Sequence, residues 1–168
     1  DLETVRVALA AAETGHLVLS TLHTLDATET ITRIISMFPS DEQKSVRLQL
    51  AGILKAVISQ RLLSRQDNKG RVPAVEVLVS TKIVQDIIRE PERMPEMHDV
   101  IAKSANAGMQ SFDQSLMKLL AAQLISFEEA MRNASRPDDF ALRVKGVVSE
   151  SNDRWINFEP DDKDDYPL

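Results

Sequence analysis

The 168-residue sequence contains no cysteine, one tryptophan, one tyrosine and five glycines. Without thiols it can form neither a disulfide nor a thiolate zinc site. No run of eighteen apolar residues occurs, so no segment reads as a membrane-spanning helix. The glycines, Gly15, Gly52, Gly70, Gly108 and Gly146, all fall outside any G-x-x-x-x-G-K-[ST] pattern. These residues therefore encode no phosphate-cradling loop of that kind. Excess charge is also scarce through most of the chain. Outside residues 149–168 there are nineteen acids and eighteen bases, with no basic stripe, which argues against a nucleic-acid surface. The net charge of −6 arises mainly in residues 149–168, with seven acids and two bases. That segment has the composition of a solvated, disordered tail.

A hydrophobic content of 43% is enough to bury the core of one domain or two small ones. The sequence opens at Asp1 without a methionine, already in a helical pattern, and is expected to be a piece of something longer. Residues 3–13 are alanine-rich helix formers, with Gly15 placed as a C-terminal cap. HLVLSTL, residues 16–22, reads as a strand buried on both faces. Asp26 with Glu29 opens a helix carrying Ile31, Ile34, Ile35 and Phe38, stopped by Pro39. Ser40 with Gln43 has the outline of a capping box. A long helix is expected after it, over about residues 41–59, with Val46, Leu50, Ile53, Leu54, Val57 and Ile58 on one face.

SQRLLSR, the turn residues QDNKG and then RVPAVEVLVS suggest a hairpin, with Pro73 at a strand start or an edge. From Thr81 onward the pattern is helical. KIVQDIIRE ends at Pro91, and MPEMHDVIAKSANAG closes at Gly108. Ser111 with Gln114 and Ser126 with Glu129 open two more helices, and PDDFALRVKG gives a last short one. Phe112, Leu116, Leu119 and Leu120 form a core stripe, and Met94, Met97 and Met109 read as gap-filling core.

The stretch TGHLVLSTLHT places two of the three histidines at the two ends of one apolar run. His16 and His23 are seven residues apart, so on one strand they point to opposite faces and make a poor metal pair. His23 follows the carboxyl end of the expected strand, where open α/β sheets bind ligands. With Thr21, Thr24 and Asp26 it forms a polar cluster there. That cluster is read either as a ligand site or as a turn that caps the next helix. His16 is read as bonding a neighbouring backbone carbonyl or as part of the site.

AAETGHLVLSTLHTLDA resembles the His box of the secretion ATPase superfamily, in particular its PilT-type pilus retraction branch. FPSDEQKSVRLQLAGILKAVISQRL, KGRVPAVEVLVST and GMQSFDQSLMKLLAAQLISFEEAMRNASRPDDFALRVKG are similar to the segments that follow in that family. The match runs from about Asp1 to Gly146, and DLET resembles the residues directly after Walker B. The absence of a four-cysteine zinc insert resembles the retraction branch, including PilU-like paralogues, rather than extension and secretion members.

The resemblance implies an α/β fold. Residues 1–80 would be the C-terminal part of a RecA-like P-loop ATPase core, with the His-box strand and a hairpin flanked by helices. Residues 81–148 would be a small all-helical subdomain, and residues 149–168 a tail. It further implies a homohexameric, ATP-hydrolysing motor for pilus retraction and twitching motility. Such a motor works in the cytoplasm against the pilus base at the inner-membrane platform, and reaches the membrane only through partners. ATP and Mg2+ would be held mainly by upstream residues, including Walker A, and the catalytic base would be the Walker B glutamate. Within this chain His23 matches the histidine that faces the nucleotide's terminal phosphate and is the catalytic-site candidate. His16 matches the first histidine, Thr21 a hydroxyl beside the phosphate, and Glu13 and Thr14 belong to the same motif. IVQDIIRE resembles the family's AIRNLIRE helix. The match implies a motion-transmitting role for Ile87, Ile88, Arg89 and Glu90, while Gln85 and Asp86 depart from the pattern. The alternative reading is a non-catalytic module that assembles with such a motor, or a related secretion ATPase.

Overall fold

The structure, a computed structural model, describes residues 1–146. The acidic segment 149–168 lies outside the described residues. Eight α-helices and one hairpin occur in the order α1 Leu2–Glu13, α2 Ala27–Ser36, α3 Gln43–Ile53, β1 Ala56–Ser64, β2 Arg71–Val79, α4 Lys82–Arg89, α5 Met97–Lys103, α6 Phe112–Ala121, α7 Phe127–Asn133 and α8 Pro137–Val144. A 3₁₀ turn, Pro91–Glu96, joins α4 to α5.

Side-chain oxygens start several helices, as their sequences predict. Asp26 accepts the Glu29 N–H at 2.8 Å, and Ser126 accepts its own Glu129 at 3.2 Å. At α6 the capping box is complete: Ser111 accepts the Gln114 N–H and Gln114 returns a carbonyl to the Ser111 N–H. Each such cap satisfies donors that the first helical turn leaves unpaired, contributing about 1 kcal/mol.

Antiparallel β1 and β2 pair from Ala56↔Val79 to Ser64↔Arg71. Their inner face presents Val57, Ser59, Arg61 and Leu63 against Leu78, Glu76, Ala74 and Val72. Two apolar clusters take the two ends of this ribbon. Val57 and Leu78 join the first, with Ile31, Ile35, Leu50, Val84, Ile87, Ile88 and Met97. Leu63, Val72 and Ala74 join the second, with Phe112, Leu116, Ile125 and Phe140. Fully burying each of these large aliphatic or aromatic side chains contributes about 1.5–3 kcal/mol. Ser59, Arg61 and Glu76 lie between the two clusters, and this polar seam is where the loop before α2 attaches.

Three features depart from the sequence reading. The expected strand 16–22 has no regular secondary structure and lies outside any sheet, with Leu17 at 82% and Leu19 at 87% exposure. Among the described residues no strand lies beside it to complete a ladder. The helix expected over about residues 41–59 ends at Ile53, and the chain turns extended at Leu54. Val57 and Ile58 suit a helical face and a strand equally well. Pairing with β2 decides the conformation, burying Val57 and leaving Ile58 72% exposed. Ser40 does not cap α3. The helix starts from Glu42, and Gln43 donates instead to the Phe38 carbonyl at 3.0 Å. The first apolar cluster draws on α4 and α5 as well as α1–α3. The 94, 97 and 109 methionines are buried there as expected.

Candidate functional site

The His-box residues separate into two groups. The first closes α1. Gly15 takes φ +90°, which a glycine adopts without a Cβ penalty. Its N–H donates to the Ala12 carbonyl at 3.1 Å and the His16 N–H donates to Ala11 at 3.1 Å, the paired bonds of a Schellman cap. The Thr14 hydroxyl donates to Ala11 at 2.8 Å and lies 3.0 Å from His16 Nδ1. Nδ1 is itself 3.2 Å from the Ala11 carbonyl. His16 thus locks the end of α1, the carbonyl-bonding role read from the sequence. Glu13 is exposed at the last turn of the helix.

The second group lies where segment 16–23 enters α2. Thr24 and Thr30 share a hydroxyl contact of 2.6 Å, and Thr30 donates to the Asp26 carbonyl at 2.8 Å. Asp26 caps the helix, and Glu29 accepts the Leu25 N–H at 2.7 Å. Asp26 therefore caps the helix, and Thr24 ties the preceding loop to its first turn through Thr30. His23 and Thr21 remain exposed, with no partner among the described residues. The hydrogen bonds of Thr14 and His16 stay within the end of α1 and do not reach Thr21 or His23.

Two residues that the motif reading passed over fix this loop from beneath. Glu76 is 2% exposed and accepts the Ala27 N–H at 3.0 Å, at the start of α2. Burial raises its carboxyl above the usual range, opposed by that hydrogen bond. Arg61 donates through Nη2 to the Leu25 carbonyl at 3.3 Å. Both belong to the inner register of the hairpin, where an acid and a base interrupt apolar alternation. That interruption was the available sequence signal.

The other predicted group is on α4. Ile87 and Ile88 are fully buried, and Arg47 of α3 donates to the Ile88 carbonyl at 3.3 Å. Arg89 pairs with Asp86 at 2.8 Å, and Asp86 also meets Lys82 at 3.2 Å. These cations hold the Asp86 carboxyl below its usual range. Glu90 ends the helix with its side chain 57% exposed.

A groove lies elsewhere, between α1 and α3. It is lined by Arg6, Phe38, Glu42 and Val46 and contains none of the His-box side chains. Among the described residues no group of three His, Cys, Asp or Glu side chains gathers to hold a metal ion. No helix among them is long and apolar enough to cross a membrane.

The first histidine at the end of α1 and the exposed second one, just before the loop that the hairpin anchors, lie within a segment that matches a known family. Residues 1–69 match the family described as type II/IV secretion system protein. The chain is also similar to retraction-type ATPases. The type IV pilus retraction ATPase PilT of Pseudomonas aeruginosa is 44% identical over 140 residues, covering 83% of this chain and 40% of that protein. A twitching motility protein of Neisseria gonorrhoeae is 43% identical over 142 residues, covering 84% of this chain and 38% of its own length. The crystal structure of the pilus retraction motor PilT with bound ADP superimposes with a TM-score of 0.70 at 43% identity, over 83% of this chain and 38% of that one. The chain thus spans about two fifths of these relatives and matches their C-terminal region.

Proposed function

We propose that this chain is the C-terminal portion of a homohexameric, ATP-hydrolysing motor that drives type IV pilus retraction at the cytoplasmic face of the inner membrane. In that motor His23 senses the terminal phosphate of the nucleotide. The observation that carries this reading is the state of residues 16–23. An apolar segment lies outside any sheet with Leu17 and Leu19 in water, and it ends in an imidazole that no group among the described residues engages. Neighbouring strands of a larger sheet would cover those leucines and bring His23 to a strand end. The similarity to retraction ATPases over most of the chain supports the same assembly.

The chemistry follows from the side chains. The imidazole N–H of His23 donates to a phosphate oxygen, and the Thr21 hydroxyl offers a second donor. A charge-assisted bond of this kind contributes about 1.5–3 kcal/mol. Because it exists only with the terminal phosphate in place, it links loop position to nucleotide state by about 1–3 kcal/mol. Bound ATP supplies the phosphoryl group whose transfer to water drives the motor. Magnesium would be held by residues outside those described, and no step is derived through it. The exposed end of α4, with Arg89 and Glu90 above the buried Ile87 and Ile88, is the surface through which motion reaches the pilus base.

The test is steady-state ATP turnover of the complete protein and of its His23→Ala variant. Loss of one charge-assisted bond predicts a fall of about 10- to 150-fold in kcat with nucleotide binding retained. Unchanged turnover would overturn the role of His23.

A further inference from the structure

Arg61 makes three contacts that no single-headed cation could make together. Nη2 donates to the Leu25 carbonyl at 3.3 Å, two residues from His23. Nη1 donates to the Asn133 carbonyl at 2.8 Å, at the end of α7. The guanidinium lies 3.9 Å from the centroid of the Phe112 ring, at the start of α6. One planar group, stacked on an aromatic face, therefore ties the loop carrying His23 to the C-terminal helices. A second tie to the same loop runs beside it: Glu76 of β2 accepts the Ala27 N–H at 3.0 Å. The α7 end of the bridge is itself fastened. The Asn133 amide donates to the Glu129 carbonyl at 2.9 Å, and the Glu129 carboxylate accepts the Ser64 N–H of β1 at 3.0 Å.

We propose that Arg61 is a positioning residue for the His23 loop. It holds that loop through the Leu25 carbonyl and makes its position depend on where α6 and α7 lie. Lysine is a poor substitute, because a single ammonium cannot stack on Phe112 while donating to two carbonyls on separate elements. Movement of α7 would pull on Asn133, rotate the guanidinium and loosen its grip on Leu25. This inference rests on the reading of His23 as the nucleotide-facing group, and it supplies the route by which the C-terminal helices govern that group.

Two measurements on the complete protein test it. Arg61→Met keeps an apolar stem over Phe112 and removes both donors, and Arg61→Lys keeps stem and charge. In the first measurement, kcat and KM for ATP are compared for wild type, Arg61→Met, Arg61→Lys, His23→Ala and the Arg61→Met/His23→Ala double variant. Arg61→Met is expected to lower kcat by about 10- to 100-fold through misplacement, with KM changed less than about twofold, and Arg61→Lys to recover little of it. The double variant is expected to be no slower than His23→Ala. Losses that multiply in the double variant, or full recovery by lysine, overturn the proposal. In the second, hydrogen exchange is followed by mass spectrometry. Peptides covering 22–27 and 127–134 should both exchange faster in Arg61→Met; faster exchange in only one, or in neither, also overturns it. If His23→Ala retains full turnover, the phosphate-sensing reading fails, and the exchange result alone then decides whether Arg61 ties the two segments.

Discussion

The carboxylate of Glu76 accepts the backbone N–H of Ala27 at 3.0 Å, across 49 positions of sequence. A buried acid at the first turn of α2 is well placed, since helix N-termini favour negative charge. Yet burial dominates and raises its pKa, with nearby Asp26 adding to the rise. In the folded protein the neutral acid is thus favoured relative to the unfolded chain. The stability this confers is complete below the ordinary value of 4.5 and is lost as pH rises through the raised folded value. Glu76→Gln keeps an acceptor for Ala27 and removes the ionisation. The stability of this variant relative to wild type should therefore rise above about pH 4.5 and level off once the native carboxyl is ionised. Denaturant midpoints of both proteins from about pH 4 to about pH 8 check this, and a pH-independent difference would refute it.

Gly15 offers a simpler substitution. A Cβ placed there meets nothing within 4 Å, so no clash arises and only the φ of +90° opposes alanine. Gly15→Ala should cost about 1 kcal/mol, or about 2–4 °C in Tm for a chain of this size. A thermal melt reads the shift, and a loss several times larger would mean that the Schellman cap holds more than the end of α1.

Ser111 tests the start of α6. Its hydroxyl and the Gln114 side chain satisfy each other's backbone donors in a buried setting. Ser111→Ala should lose about 1 kcal/mol by chemical denaturation, without changing the slope of the transition.

The leucines of segment 16–23 behave oppositely in two contexts. Leu17 and Leu19 are 82% and 87% exposed here, so truncating either to alanine should change the stability of this chain by less than about 0.5 kcal/mol. In the complete motor proposed above, neighbouring strands bury them. The same substitutions should then cost about 2–5 kcal/mol each. Parallel melts of the two proteins measure the contrast, and equal small effects in both would remove the enclosing sheet.

Helix starts governed by neighbouring residues were legible in the sequence. Asp26 with Glu29, Ser111 with Gln114 and Ser126 with Glu129 each cap where their spacing predicts, because a cap needs only its own first turn. Ser40 failed the same test because Pro39 begins a turn in which its carbonyl accepts the Glu42 and Gln43 N–H groups. Val57 and Ile58 fit either periodicity, and their strand partners Leu78 and Val77, 21 and 19 positions away, chose between them. HLVLSTL carries a strand's composition without a strand's neighbours, so its pattern describes a setting that this chain alone does not provide. For the site, capping by Asp26 and the carbonyl contact of His16 could be read directly. Arg61 and Glu76 could not, because motif reading looks along the chain and their partners come from the loop before α2, from α6 and from α7.

Pro73 closes the account of the hairpin. Val75 and Val77 turn their backbone groups away from β1, toward the Ser115 hydroxyl and Gln110. Pro73, of the same parity, has no N–H to offer on that side. The far side of β2 is thus spent along half its length and mute at the proline. On β1 the alternate positions Ile58, Gln60 and Leu62 face the other way, and Ser64 at their end is already held by Glu129. The ribbon can therefore be lengthened sideways in one direction only, and a strand from elsewhere must dock along Ile58–Leu62 or not at all.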